Sequence, residues 1–464
     1  MPVITRREFT GSLAAVGLGG SGTGFSQTAS RKPNFVLIMA DDLGYSDVGC
    51  YGSSENRTPA LDQLAAEGIR FTDFYAACAV CSPSRTAFMT GRFPVRAGVY
   101  SWIHQSHKMH LRREEITVAK LLKNAGYSTA FVGKWHLGFY VEKRLGGVPD
   151  PGDHGFEHWM ATESNANPSH RNPVNFIRNG QALGRIEGYS CQILVDEAIR
   201  WLDGRPDKST PFYLNVWFHE PHSQVAAPEE YRKRHLHTKQ PEYYGCIENM
   251  DNAVGRLLEK LDAMGVRDNT VVVFTSDNGS YVNGSNDPLT GRKTQLWEGG
   301  IREPGIMRWP ARIKKGAVTG TPAGLVDLLP TVCDIAGVPA PRDRKIDGTS
   351  LTPLFNGRPV RRQTSLYWFY SPSRPVCAIR EGNYSLVADP ELDLSQDNMF
   401  REEYIGPIKA TKLVNFRLYD LRADMRQERN LAQTQNVVFR RMKEKMLTLH
   451  ADVIREAYDW REHR

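Results

Sequence analysis

The sequence predicts an α/β fold, a large mixed sheet flanked by helices with a smaller α+β domain after it, and three observations carry that expectation. Short apolar runs rich in Val, Ile and Phe alternate with segments of helical period from residue 34 to about residue 345, the pattern of strands and crossover helices packed in layers. Four of these runs are followed at once by paired polar residues. Beyond residue 345 the runs shorten, and the chain finishes on one long amphipathic stretch.

The first 30 residues are set aside from the fold. Arg6, Arg7, Glu8 and Phe9 precede a Gly/Ala-rich run over 13–20 and a polar exit over 26–30, which reads as a twin-arginine export signal. The expected destination is the periplasm or the extracellular space. A large domain is expected over 31–345 and a small α+β domain over 346–464. With 40% hydrophobic and 24% charged residues the composition is ordinary for a soluble chain, and no run approaches the roughly 20 apolar residues of a membrane-crossing helix. The net charge of +7, from 59 basic and 52 acidic residues, comes without a block of basic side chains, which argues against a nucleic-acid partner. Seven cysteines are an odd number for an oxidising compartment, so at least one has a role other than pairing. Cys81 is the candidate, and the remaining six are compatible with anything from no disulfide to three.

Strands are read at 35–39, 71–75, 129–132, 212–218, 271–274 and 305–309, each short and rich in residues that suit a buried sheet. Thr58 caps and Pro59 opens a helix that carries Leu61, Leu64 and Ala65 on one face and ends at Gly68. Val118, Leu121 and Leu122 lead to Gly126 in the same way, and 193–202 and 250–264 repeat the helical period. In the smaller domain strands are read at 365–369, 376–379, 384–387 and 416–420 and a final helix at 437–458. Residues 389–412 are a polar insertion with no assigned structure.

The polar pairs are Asp41 with Asp42, Lys134 with His136, His219 with His222, and Asp277 with Asn278. Ligands of open α/β sheets bind beyond the carboxyl ends of the strands, so the four pairs are expected to meet in one crevice. Asp41, Asp42, Asp277 and Asn278 offer only hard oxygen donors, which select calcium or magnesium. Pro83 suits the first turn of a helix and sets Cys81 at its N-terminus, where backbone amides bind anions.

Cys81, Pro83, Ser84, Arg85, Thr90 and Gly91 spell CxPSRxxxxTG. Six specified residues match by accident in a chain of this length with a likelihood on the order of 10⁻⁵. Through this motif, through Gly133-Lys134-Trp135-His136-Leu137-Gly138, through Ser276-Asp277-Asn278-Gly279 and through Trp297-Glu298-Gly299-Gly300-Ile301-Arg302, the chain resembles the type I sulfatases of the alkaline-phosphatase superfamily. Within them it looks most like the arylsulfatase A and N-acetylgalactosamine-6-sulfatase branches. The resemblance implies a sulfuric-ester hydrolase in which a formylglycine-generating enzyme converts Cys81 to formylglycine. It also implies one calcium ion held by Asp41, Asp42, Asp277, Asn278 and position 81. Arg85, Lys134 and Lys293 then surround the sulfate, with Arg292 as the alternative to Lys293. His136 takes the proton that expels sulfate, and His222, in preference to His219, faces the leaving oxygen. The physical need is the same, because a sulfate ester is a weak electrophile and unit charges about 4 Å apart interact by roughly 4 kcal/mol at an effective dielectric near 20.

Tyr100, Trp102 and His104, with His107, His110 and the polar segment 163–172, are expected on the substrate side. The histidines recur every third residue, but no carboxylate or cysteine accompanies them, so a rim is favoured over a zinc face. Such a rim suits sulfated carbohydrates, and the resemblance implies a substrate such as N-acetylgalactosamine-6-sulfate, with aryl sulfates as surrogates. Two other readings compete. A phosphomonoesterase or phosphodiesterase of the same superfamily would use Ser or Thr and two zinc ions, and a non-catalytic sulfated-glycan binder would be expected to have lost Cys81 or His136.

Overall fold

The computed structural model describes residues 32–139, 147–281, 283–394 and 400–462; the export signal read at 1–30 lies outside them. Residues Lys32–Arg464 form one compact unit. In chain order its strands are β1 (Asn34–Asp41), β2 (Ile69–Tyr75), β3 (Ser128–Lys134), β4 (His158–Thr162), β5 (Ile177–Arg178), β6 (Gln181–Ala182), β7 (Phe212–Pro221) and β8 (Thr270–Ser276). They continue with β9 (Arg302–Arg308), β10 (Ala317–Thr319), β11 (Ala323–Gly324), β12 (Leu366–Phe369), β13 (Cys377–Glu381), β14 (Tyr384–Pro390) and β15 (Leu413–Asp420).

The large sheet has 11 strands in the order β10-β2-β9-β8-β1-β7-β3-β4-β5-β6, with β11 also on β2. From β8 through β1, β7 and β3 to β4 every pairing is parallel, whereas β9 runs antiparallel to both β8 and β2. The mixed α/β expectation therefore holds. Alternation along β1 shows why its run is continuously apolar: Phe35, Leu37 and Met39 enter the core on one face, Val36, Ile38 and Ala40 the core on the other. Helices cover both faces. Leu61, Leu64 and Ala65 of Pro59–Glu67, together with the helices Ser190–Gly204 and Pro241–Ala263, pack on one; Cys81–Thr90, Val118–Asn124 and Leu328–Ala336 pack on the other. Each large apolar side chain so buried contributes about 1.5–3 kcal/mol.

The second sheet is antiparallel, β12-β13-β14-β15, and packs with the helix Asn436–Arg455. Its core is shared with residues around the motif helix, including Val80, Phe93 and Tyr100. The Trp368 indole donates to the Ala76 carbonyl at 2.7 Å.

Three local readings change. Thr58 does not cap the helix behind it, because its hydroxyl is engaged by the Gly49 amide at 2.8 Å and donates to Asp62. The cap comes from Asp251, whose carboxylate accepts from the Ala60 and Leu61 amides at 3.0 and 2.9 Å. The helix read at 250–264 begins at Pro241, with Glu242 in its first turn. The insertion at 389–412 extends β14 to Pro390 and supplies a short helix, Ile405–Ala410, before β15. All seven cysteines are free thiols.

Candidate active site

β1, β3, β7 and β8 end at the same edge, and the residues just past them form the site. Asp42 and His136 have φ of 64° and 52°, the left-handed region that side chains avoid and that recurs at functional positions. Gly133 precedes Lys134 with φ of 122°, and a Cβ there would lie 1.8 Å from the Trp217 carbonyl oxygen. Only glycine lets β3 approach β7 this closely. The period of two in Lys134-Trp135-His136-Leu137 then sends Trp135 and Leu137 into the core.

Three carboxylates meet three cations. Lys134 Nζ lies 2.5 Å from Asp41 Oδ2, Lys293 Nζ 2.7 Å from Asp42 Oδ2, and Arg85 Nη2 2.7 Å from Asp277 Oδ2. Arg85 also donates to the Lys134 carbonyl at 2.7 Å and lies over the Trp217 ring. Cys81 opens the helix Cys81–Thr90, as its motif predicts. Its Sγ lies 3.6 Å from Asp41 Oδ1 and 3.8 Å from Lys134 Nζ. Ligand atoms of Asp41, Asp42, Cys81 and His222 all lie within 4.8 Å of one another. Asp277 and Asn278 join them, since the Asp42 amide donates to Asp277 Oδ1 at 3.2 Å and Asn278 Nδ2 to Asp42 Oδ1 at 2.7 Å.

Burial raises Asp41, but Lys134 and its neighbouring cations outweigh it and hold the carboxyl well below the usual range. Asp277 is pushed up to about 7 by burial and by the Asp41 charge, despite Arg85. Burial penalises the charged form of Asp277, and a divalent cation beside it would favour that form. Asn278 Oδ1 is buried with no hydrogen-bond partner, an oxygen available to such an ion. The oxygens of Asp41, Asp42, Asp277 and Asn278 fit a hard metal.

His136 donates from Nε2 to the Ile103 carbonyl at 2.9 Å, while its Nδ1 is buried without a hydrogen-bond partner. Burial, helped by Lys134 and Arg85, depresses its pKa, so the ring is neutral with its lone pair on Nδ1. His222 hydrogen-bonds Ser223 O through Nδ1 at 2.6 Å, and its Nε2 lies 3.5 Å from Asp42 Oδ2. Burial pulls it down to about 4. His219 is turned away toward Thr162 Oγ1 at 2.7 Å, and Arg292 lies over Tyr281. In both pairs the residue favoured from sequence is the one at the carboxylates.

A cavity of about 240 Å³ adjoins His136, with Trp102, His104, Gln105, Glu163 and Asn165 in its lining. Tyr100 is not part of it: the ring is 2% exposed, stacks on Phe400 at 5.3 Å and donates its hydroxyl to the Tyr458 carbonyl. Contact with Phe400 and Tyr458, distant in sequence, holds the phenol inward. His107 is buried, His110 packs on Trp460 at 4.9 Å, and His104 and His110 bond within their own loop. Asn165, which accepts from Lys134 Nζ at 3.0 Å, lay unsingled within the polar segment 163–172; its placement depends on β4, a strand without a sequence signal of its own.

The fold and this cluster define a hydrolase of the alkaline-phosphatase-like superfamily. The chain belongs to the sulfatase family, whose profile matches residues 33–338, and it is accordingly a sulfuric-ester hydrolase. A second profile, N-sulphoglucosamine sulphohydrolase, C-terminal, matches 292–389. The chain is similar to human steryl-sulfatase, 32% identical over 74% of this chain and 73% of that one. It is similar to human N-acetylgalactosamine-6-sulfatase, 34% identical over 76% and 70%. Among solved structures it resembles Ps i-CgsB in complex with k-i-k-neocarrahexaose, with a TM-score of 0.78, 26% identity and coverage of 91% and 93%.

Proposed function

We propose that this sulfatase acts on sulfated carbohydrate, through formylglycine at position 81 and one calcium ion. The cavity beside His136 carries the substrate reading. At about 240 Å³, with His104, Gln105, Glu163 and Asn165 in its lining, it falls below the roughly 300–1,000 Å³ of pockets that bury drug-sized apolar ligands. Its polar groups match sugar hydroxyls better than the four fused rings of a sterol. Among the described residues no helix is long and apolar enough to cross a membrane. N-Acetylgalactosamine-6-sulfate is the substrate suggested by one set of relatives.

The Cys81 thiol itself is a poor nucleophile, since burial pushes its pKa up to about 12 and only the thiolate attacks. That supports conversion by a formylglycine-generating enzyme. Hydrated formylglycine at position 81 would offer two hydroxyls, one as nucleophile toward sulfur and one whose proton could be lost to expel sulfate. Asp41, Asp42, Asp277 and Asn278 would hold the calcium, which would supply positive charge to the ester oxygens. Lys134, Lys293 and Arg85 hold the anion and neutralise the carboxylates around it. His136 Nδ1, the unprotonated nitrogen, accepts the proton whose loss releases sulfate. His222 delivers one to the leaving oxygen, because a bound ester anion favours the imidazolium and raises its low pKa.

Export in the same reading follows from Arg6 and Arg7. Peptide mass spectrometry on protein matured in its own host tests the nucleophile, with an aldehyde expected in place of the Cys81 thiol; only unmodified thiol in an active preparation defeats the mechanism. Turnover of sulfated amino sugars compared with steroid and aryl sulfates tests the substrate. Preference for the steroid would assign the chain to the other set of relatives.

A further inference from the structure

Lys293 reaches Asp42 Oδ2 at 2.7 Å from a stretch, residues 290–297, that lies between β8 and the short helix Glu298–Ile301. A long side chain on irregular backbone has many conformations open to it, so the place of its charge depends on how the backbone beneath it is held. Four amides hold it. Lys293 N–H donates to the Ser280 carbonyl at 3.1 Å and Thr294 N–H to the Ala79 carbonyl at 2.8 Å. Ser280 stands two residues after Asn278, and Ala79 two residues before Cys81. The other two amides are held from the second sheet. Leu296 N–H donates to Ser373 Oγ at 2.9 Å, and Glu298 N–H to Gln427 Oε1 at 3.0 Å. Ser373 lies between β12 and β13, and Gln427 follows β15. Both bonds are buried, where an amide that loses its acceptor is not readily satisfied by water.

The stretch is also shaped against its local preference. Thr294 has φ of 75°, a conformation that β-branched residues avoid and that persists only where the surroundings impose it. Gln427 has φ of 57° and is itself buried. Its Nε2 donates to Ser385 Oγ of β14 at 3.4 Å, which leaves Oε1 for the Glu298 amide. Next to it, the Arg426 carbonyl accepts from Thr290 Oγ1 at 2.5 Å. The small sheet thus grips the stretch at both ends.

We propose that Gln427 and Ser373 are positioning residues, through which the small C-terminal domain fixes Lys293 at the sulfate. The inference rests on the reading of Lys293 as a cation that holds the anion, and gives the second sheet a part in the chemistry. Both side chains act through the main chain, at amides five and three residues beyond Lys293. A misplacement of about 1 Å, caused far from the reacting atoms, is enough to cost up to about 10²-fold in rate.

The test is a double-mutant cycle on kcat/KM for 4-nitrophenyl sulfate, with every variant matured in the protein's own host. Gln427→Ala and Ser373→Ala are made singly and each with Lys293→Ala. Alone, each is expected to lower kcat/KM by about tenfold; once Lys293 is gone, by less than about twofold. Gln427→Glu keeps an oxygen for the Glu298 amide and offers its other to the Ser385 hydroxyl, so it should return to within about threefold of wild type. Ser373→Ala removes one oxygen and carries the test where Gln427→Ala does not fold. Wild-type kcat/KM in both alanine variants, a loss that persists undiminished without Lys293, or no recovery in Gln427→Glu overturns the inference. Wild-type kcat/KM in Lys293→Ala alone overturns instead the reading of Lys293 beneath it.

Discussion

His136 and Ile103 are joined by a hydrogen bond of 2.9 Å from the imidazole Nε2 to the main-chain carbonyl, and the Ile103 amide donates in turn to Ser82 Oγ at 2.9 Å. Ser82, beside Cys81, and the His136 imidazole thus share one rim residue, which sets the tautomer. His136→Ala is expected to lower kcat by about 10²–10⁴-fold. If His136 acts after the alcohol has left, stopped-flow traces of an aryl sulfate will show one equivalent of alcohol released and then arrest. A uniform slowing without a burst would move His136 to the first step.

Lys134 is the charge partner of Asp41 and is almost fully buried. Lys134→Ala leaves that carboxylate without its nearest cation, and kcat/KM is expected to fall by about 10²-fold or more. Lys134→Arg should rescue little, because a planar guanidinium cannot reproduce a point charge shared by Asp41, Asn165 and position 81. Full activity of the Arg variant would show that charge alone suffices there.

Chelation is expected to abolish activity and to lower the melting temperature, since an ion bound only by the folded chain stabilises it. Calcium should restore both and zinc neither, given the hard oxygens of Asp41, Asp42, Asp277 and Asn278. Asn278→Ala removes an oxygen that has no hydrogen-bond partner and should weaken the calcium response of the melting temperature. An undiminished response would take Asn278 out of the metal site.

Asp251 offers a pH test away from the chemistry. Burial pushes its carboxyl up to about 7 against the two amides it caps, from an ordinary 3.8. The folded chain therefore holds a proton that the unfolded chain releases over this interval, and stability falls as pH rises through it. The group's contribution is fully present below about pH 4 and lost above about pH 7. Asp251→Asn keeps an acceptor at the helix N-terminus but does not titrate. Its melting temperature should drop less between pH 5 and pH 8 than that of the wild type; identical slopes would refute the shift.

The chain's local patterns determined the sheet, the strand ends and the motif helix, because alternation, helical period and Gly/Pro punctuation act between residues only a few positions apart. They sufficed to bring Asp41, Lys134, His222 and Asp277 to one edge, since parallel strands end together wherever their crossovers are helices. Tertiary contacts alone decided the rest. Asp251 took the capping role from Thr58 across 190 residues, Tyr100 turned inward onto Phe400 from the unassigned insertion, and Asn165 reached Lys134 through a strand that no periodicity announced. Each of these is a pairing between distant segments, and its energy comes from hydrogen bonds and packing that exist only after the sheet has formed, so no local pattern encodes it.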